Sequence, residues 1–193
     1  MVGTLRDYAT GLPATVPSDA APADLLRAAD GHGYVAVTEA GLVIALLDAA
    51  EPDPPLPVTS AATRALLPPL VILPADLAMA DLVSSPAITL LDLDSPAALL
   101  VDPAGEPVAI LLVSAIVDYL ADPGYAAAQR RLGPHGPTTD GTWPTATRVP
   151  LARLHCAAAG CGYLNELVEY VTDPPIACAS PEAPRHDLVL GRR

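Results

Sequence analysis

Apolar residues along this chain alternate between short continuous runs and amphipathic stretches, and the order of the two kinds repeats. Residues 13–50 read "PATVPSDAAPADLLRAADGHGYVAVTEAGLVIALLDAA". The pattern predicts a short strand at Ala14–Val16 and a helix entered through "SDAAPADLLRAA", with Ser18 or Asp19 as N-cap and Pro22 in its first turn. Gly31 and Gly33 stop that helix. "YVAVT" and "LVIALL" then read as two strands joined by the tight turn "EAG".

Residues 68–121 run through the same order again. "LVILP" reads as a strand, and "ADLAMADLVSS" places Leu77, Ala80, Leu82 and Val83 on roughly one helical face. "AALLVD", the turn "PAGE" and "PVAILLV" form a second hairpin, and "SAIVDYLA" a closing helix. Each copy is therefore strand, helix, strand, turn, strand, helix. This internal duplication is the clearest feature of the sequence.

Between residues 123 and 147 the pattern breaks into a linker containing "GPHGPTTDGTWP", with His135 read as a solvated loop residue and Trp143 as a packing residue. The remaining segment, 148–193, holds all three cysteines. In "YLNELVEYV", Leu164, Leu167, Val168 and Val171 have helical spacing, whereas Tyr and Val favour strands; helix and strand both remain open.

The repeated order resembles a tandem cystathionine-β-synthase (CBS) domain pair, or Bateman module, over roughly residues 4–122, with repeats at about 4–50 and 66–122. Its best-matching part is "SPAALLVDPAGEPVAILLVSAIVDYL". The resemblance implies an α+β fold of two βαββα repeats packed side by side, a regulatory role and a homodimer. It also implies two clefts that often hold adenosine nucleotides, through a Gly before the final strand, a hydroxyl three residues later and an Asp three further on. Here those positions are Ala109, Leu112 and Ala115. Ser114 and Asp118 are the nearest substitutes, in a shifted register; otherwise Ser114 is a helix N-cap and Asp118 a solvated residue.

Charge narrows the partners. The 193 residues carry a formal net charge of −12, and residues 1–123 hold 16 acids against three Arg. An acidic body repels phosphate backbones and anionic membrane surfaces, so neither nucleic acid nor membrane is expected as a partner. The N-terminus has no apolar signal segment and the longest apolar run, "PVAILLVSAIV", is too short to span a bilayer, so a cytoplasmic protein is expected. No Phe, a single Trp and 23 Pro mean that Leu, Val, Ala and Ile must fill the core and that prolines punctuate its turns.

The chemistry is concentrated in "LHCAAAGCGYLNEL". On a continuous helix Cys156 and Cys161 face different ways, but Gly160 and Gly162 permit a tight knuckle that offers both sulfurs to one ion. Cys178 and His186 complete a Cys-x4-Cys-x16-Cys-x7-His pattern, a possible Cys3His zinc tetrahedron laid out like a zinc ribbon, though with a gap of four residues where two is usual. His155 is set aside as a ligand because neighbours on a strand point to opposite faces. The competing reading makes the cysteines small buried residues and His186 a loop residue. A catalytic zinc would need an open position, with Glu166 the nearest candidate base but otherwise a solvated charge, and a Cys156–His186 nucleophile pair is the thiol-enzyme alternative. No P-loop, dinucleotide fingerprint, HExxH or Gly-x-Ser-x-Gly occurs. The sequence reading is thus a non-enzymatic regulatory or adaptor protein with a CBS-like body and a zinc-stapled tail for binding another protein. The alternative is an adenosine-nucleotide sensor using Ser114 and Asp118.

Overall fold

Runs of β-branched and aliphatic residues bounded by Gly, Pro and Asp become strands, and the central ones, Leu70–Pro74 and Ala97–Val101, are buried on both faces. The computed structural model describes residues 3–50, 57–85, 87–91, 95, 97–123, 150–168, 175–182 and 184–190. A 3-10 turn, Leu5–Tyr8, comes first, followed by β1 (Ala14–Pro17), α1 (Pro22–Ala29), β2 (Tyr34–Glu39), β3 (Leu42–Asp48) and α2 (Ala61–Arg64). The second unit comprises β4 (Leu70–Pro74), α3 (Met79–Val83), α4 (Ala87–Leu91), β5 (Ala97–Val101), β6 (Pro107–Leu112) and α5 (Val113–Ala121). β7 (Ala152–His155) and β8 (Leu164–Leu167) complete the described elements. The fold is α+β, and His135, Trp143 and Val171 lie outside the described residues.

The two units share one topology. β1 pairs parallel to β2, which pairs antiparallel to β3; β4 pairs parallel to β5, which pairs antiparallel to β6. Each parallel pair is crossed over by helix, as parallel neighbours require. The first hairpin turns at Ala40 (φ 50°) and Gly41 (φ 82°), the positive pair that matches strand twist in a two-residue loop. In the second, the Asp102 carboxylate accepts from the amides of Ala104 and Glu106, both at 2.9 Å.

Period-2 alternation sorts the side chains into layers. Val35, Val37, Ala45 and Leu47 face α1 and pack with Leu25. Val71, Leu73, Ala98, Leu100 and Leu111 face Leu82, Leu90 and Ile116 of the second unit's helices. The opposite faces meet each other: Ala36, Val43 and Leu46 pack against Leu70, Ile72, Ala97, Leu99, Val101 and Ile110. The N-terminal turn belongs to the second unit, with Leu5 in its core and Leu5 N–H donating to the Leu77 carbonyl at 2.8 Å.

Three local expectations are corrected. The N-cap of α1 is Ala21, not Ser18 or Asp19, because the Ser18 amide is drawn to the Thr38 carbonyl (2.8 Å) and Pro22 sets the first helical turn. The stretch 75–85 is helical only over Met79–Val83, since Ala75 and Leu77 donate backbone bonds to Val101 and Pro74 instead. The N-cap of α5 is Leu112, two residues before Ser114, which lies inside the helix.

The C-terminal segment is joined to the body. β7 pairs antiparallel to β4 and to β8, giving a five-stranded sheet of order β6-β5-β4-β7-β8. It also reaches the first unit: the Arg153 guanidinium donates to the Val43 carbonyl at 2.9 Å, and Leu164 packs against that unit's core. Gly162 (φ 61°) sits so close to α2 that a Cβ there would lie 2.5 Å from the Ala61 Cα.

Two substitutions measure these contacts. Leu99→Ala, in the layer between the sheets, is expected to lower unfolding free energy by ~2–5 kcal/mol in a denaturant titration. Gly162→Ala is expected to destabilise by on the order of 1–3 kcal/mol, and by clearly more than Gly160→Ala. Gly160 also has positive φ (76°) but has open space where its Cβ would go, so the difference reports the contact with Ala61. Equal losses would mean that the knuckle does not press on α2.

Candidate metal centre

β7 ends by delivering Cys156 into the interior, where it is fully buried. The chain then doubles back through Gly160 and Gly162, both at positive φ, to start β8. Cys156 N–H donates to the Tyr163 carbonyl at 2.9 Å, Cys161 N–H to Ala158 at 2.9 Å and Gly162 N–H to Cys156 at 3.0 Å, so the knuckle's own backbone closes it. A second loop runs alongside. Its ends are tied by the Ala177–Asp187 bridge, by Cys178 N–H donating to His186 (2.9 Å) and by Leu188 N–H donating to Ile176 (2.7 Å).

These loops bring Cys156, Cys161, Cys178 and His186 together, with one ligand atom from each within 4.8 Å of the others. Cys156 Sγ lies 3.3 Å from His186 Nε2, and Cys161 Sγ lies 3.7 Å from Cys178 Sγ. A tetrahedral ion with metal–sulfur bonds of about 2.3 Å and a metal–nitrogen bond of about 2.0 Å has edges of about 3.8 Å (S···S) and 3.5 Å (S···N). Those two edges are already near that size. The three thiols are unpaired with one another as disulfides.

The surroundings prepare the ligands. The Pro184 carbonyl, 2.8 Å from His186 Nδ1, can only accept, so Nδ1 carries the proton and Nε2 turns its lone pair toward the sulfurs. That hydrogen bond, with the Cys156 sulfur, raises the His186 pKa. Burial pushes the Cys156 thiol up, but the Val189 and Ala158 amides, then His186 and Cys178, bring it down to about 7. Burial raises Cys161, against the Tyr163 amide. In each knuckle turn the amide two residues on thus donates to a sulfur.

Asn165 is the residue that the sequence reading missed. It is 2% exposed on β8, and its amide nitrogen donates to the Tyr163 carbonyl (3.0 Å) and lies 3.7 Å from Cys178 Sγ. Its oxygen accepts from Ala179 N–H at 2.8 Å, so one side chain fastens the second loop to the knuckle. The signal available was an Asn, poorly suited to strands, lying between two cysteine loops.

His155 points away from the cluster. Its Nδ1 donates to the Gly162 carbonyl at 3.1 Å, and its Nε2 is buried without a hydrogen-bond partner. Glu166 is held by the Arg153 guanidinium at 2.8 Å. Ser114 and Asp118 are both exposed on α5, remote in sequence from the cysteine cluster and one helical turn apart. Three sulfurs and one imidazole are a donor set that could hold one tetrahedral ion.

Among the described residues, no helix is long and apolar enough to cross a membrane. No family model matches the chain, and no curated protein matches it. Among solved structures it is similar to the CBS domain of a bacterial CNNM/CorC family Mg2+ transporter in complex with ATP, at 16% identity and a TM-score of 0.43 over 60% of this chain and 84% of that one. It is also similar to a CBS-domain pair with bound AMP from Klebsiella pneumoniae, at 12% identity and a TM-score of 0.42 over 62% and 98% of the two chains. A CBS domain protein from Shewanella oneidensis MR-1 has 13% identity and a TM-score of 0.43 over 62% and 98%.

Proposed function

We propose that this chain is a non-enzymatic regulatory or adaptor protein: a CBS-like pair of repeats whose C-terminal segment is stapled by a structural zinc ion and presents a fixed surface to another protein. The observation that carries the reading is the convergence of Cys156, Cys161, Cys178 and His186 with edges near those of a zinc tetrahedron. Thiolate and imidazole together suit zinc, and four protein ligands suit a structural ion. Bound there, zinc supplies cross-linking of two loops that have little apolar core of their own; the residues supply orientation, through Pro184, Asn165 and the backbone amides. The anchoring of the same segment on both repeats supports a regulatory body whose parts are held in one arrangement.

Elemental mass spectrometry on untagged protein, purified without chelator, is expected to find about one zinc per chain, lost in Cys178→Ser. Metal-free wild type would overturn the staple. On the zinc-loaded chain, AMP and ATP are expected to leave Tm unchanged. A saturable rise, abolished by Asp118→Ala, would replace the adaptor reading by the nucleotide sensor built on Ser114 and Asp118.

Zinc uptake also has a defined pH dependence. The metal takes thiolate and neutral imidazole, so below pH 7 protons on both Cys156 and His186 compete with it. Apparent affinity is expected to fall steeply as pH drops from about 7 to 6, the direction fixed by deprotonation on binding. Competition with a chromogenic chelator across that range measures it. An affinity independent of pH would mean that these residues are not the ligands.

A further inference from the structure

The four ligands are not equivalent. Cys156 is fully buried, faces His186 Nε2 at 3.3 Å and receives two backbone amides. Cys161 and Cys178 face each other at 3.7 Å and are both only partly buried. They sit on two different loops, the knuckle and the second loop, separated by 16 residues of chain. A small oxidant reaches this pair before it reaches Cys156.

We propose that Cys161 and Cys178 are a peroxide-sensitive dithiol whose oxidation to a disulfide ejects the metal and loosens the contact between the C-terminal segment and the first repeat. The release step rests on the zinc reading above; the disulfide does not. One thiolate attacks a peroxide oxygen, the O–O bond breaks, a sulfenic acid forms and hydroxide leaves. The second thiolate attacks that sulfur, the S–S bond forms and a second hydroxide leaves. Two protons from solvent convert both hydroxides to water. The sulfurs together lose two electrons and the peroxide gains two.

Closing the sulfurs from 3.7 Å to the ~2.05 Å of a disulfide takes two of the four ligands out of the tetrahedron. Cys156 and His186 alone do not make a structural zinc site. The motion is felt next door, because Cys161 is bonded to Gly162, which rests on Ala61 of α2, and Cys178 shares Asn165 with the backbone of Tyr163. An oxidant signal thereby reaches the joint between the repeats. Reductant restores the dithiol and the site.

The test uses the full chain, as purified and after zinc removal, titrated with hydrogen peroxide. Zinc release is followed with a chromogenic chelator, intact mass by mass spectrometry and connectivity by proteolysis without reductant. The expected result is loss of two hydrogens per chain, a peptide linking Cys161 to Cys178, Cys156 still open to alkylation after denaturation, and one zinc freed per disulfide and rebound after dithiothreitol. Cys156→Ser is expected to form the same disulfide, which separates the chemistry from any folding defect in variants of the pair itself. A cross-link through Cys156, or over-oxidation of single cysteines with no cross-link, overturns the proposal while leaving a measured zinc content standing. A Cys161–Cys178 disulfide in a chain that never held zinc overturns the staple and the release step but keeps the dithiol.

Discussion

The structure depends on one apolar layer, the face-to-face contact of the two sheets. Ala36, Val43 and Leu46 meet Leu70, Ile72, Ala97, Leu99, Val101 and Ile110 in one apolar cluster. Because each sheet also buries its outer face under helices or the N-terminal turn, its central strands are covered twice. At about 25 cal/mol per Å2 of apolar area, such double burial is what lets short helices of four to nine residues survive in a chain whose length is much interrupted by proline. A chain without Phe fills this layer with short aliphatic side chains, which permit close approach of two backbones.

The C-terminal segment exploits that layer without adding to it. β7 extends the second repeat's sheet past β4, and from that edge Arg153, Gly162 and Leu164 touch the first repeat. The second loop has almost no apolar interior; its described residues are mostly exposed and its order comes from paired backbone groups, Asn165 and the sulfur cluster. A loop of that kind loses much conformational entropy for few contacts, which is the circumstance in which a bound ion contributes most.

Strands were legible because they announce themselves twice, by apolar runs and by Gly, Pro or Asp at their ends. The duplicated order and both hairpin turns follow from "YVAVTEAGLVIALL" and "AALLVDPAGEPVAILLV" alone. Helix starts were less legible. Ser18 and Asp19 look like caps, but the Ser18 amide is claimed by Thr38 across the sheet, a partner twenty residues away. "YLNELVEYV" has helical spacing, yet Leu164–Leu167 is a strand because β7 offers it a hydrogen-bonding edge. The four candidate ligands were singled out by residue type and spacing; that they converge required the fold. Asn165 and the Gly162–Ala61 contact were not readable, since each depends on a neighbour brought in by tertiary structure.

The polar groups around the sulfurs bear directly on the proposed structural ion. The Val189 and Ala158 amides lower the Cys156 thiol, the Pro184 carbonyl fixes the lone pair of His186, and the buried His155 next in sequence is turned away to Gly162. A catalytic centre of this composition would leave one position to water and bring a base beside it. Glu166 is engaged by Arg153 on the strand surface. The groups around the cluster thus lower the Cys156 thiol and aim the His186 lone pair at the sulfurs, which is what the proposed structural ion would require of them.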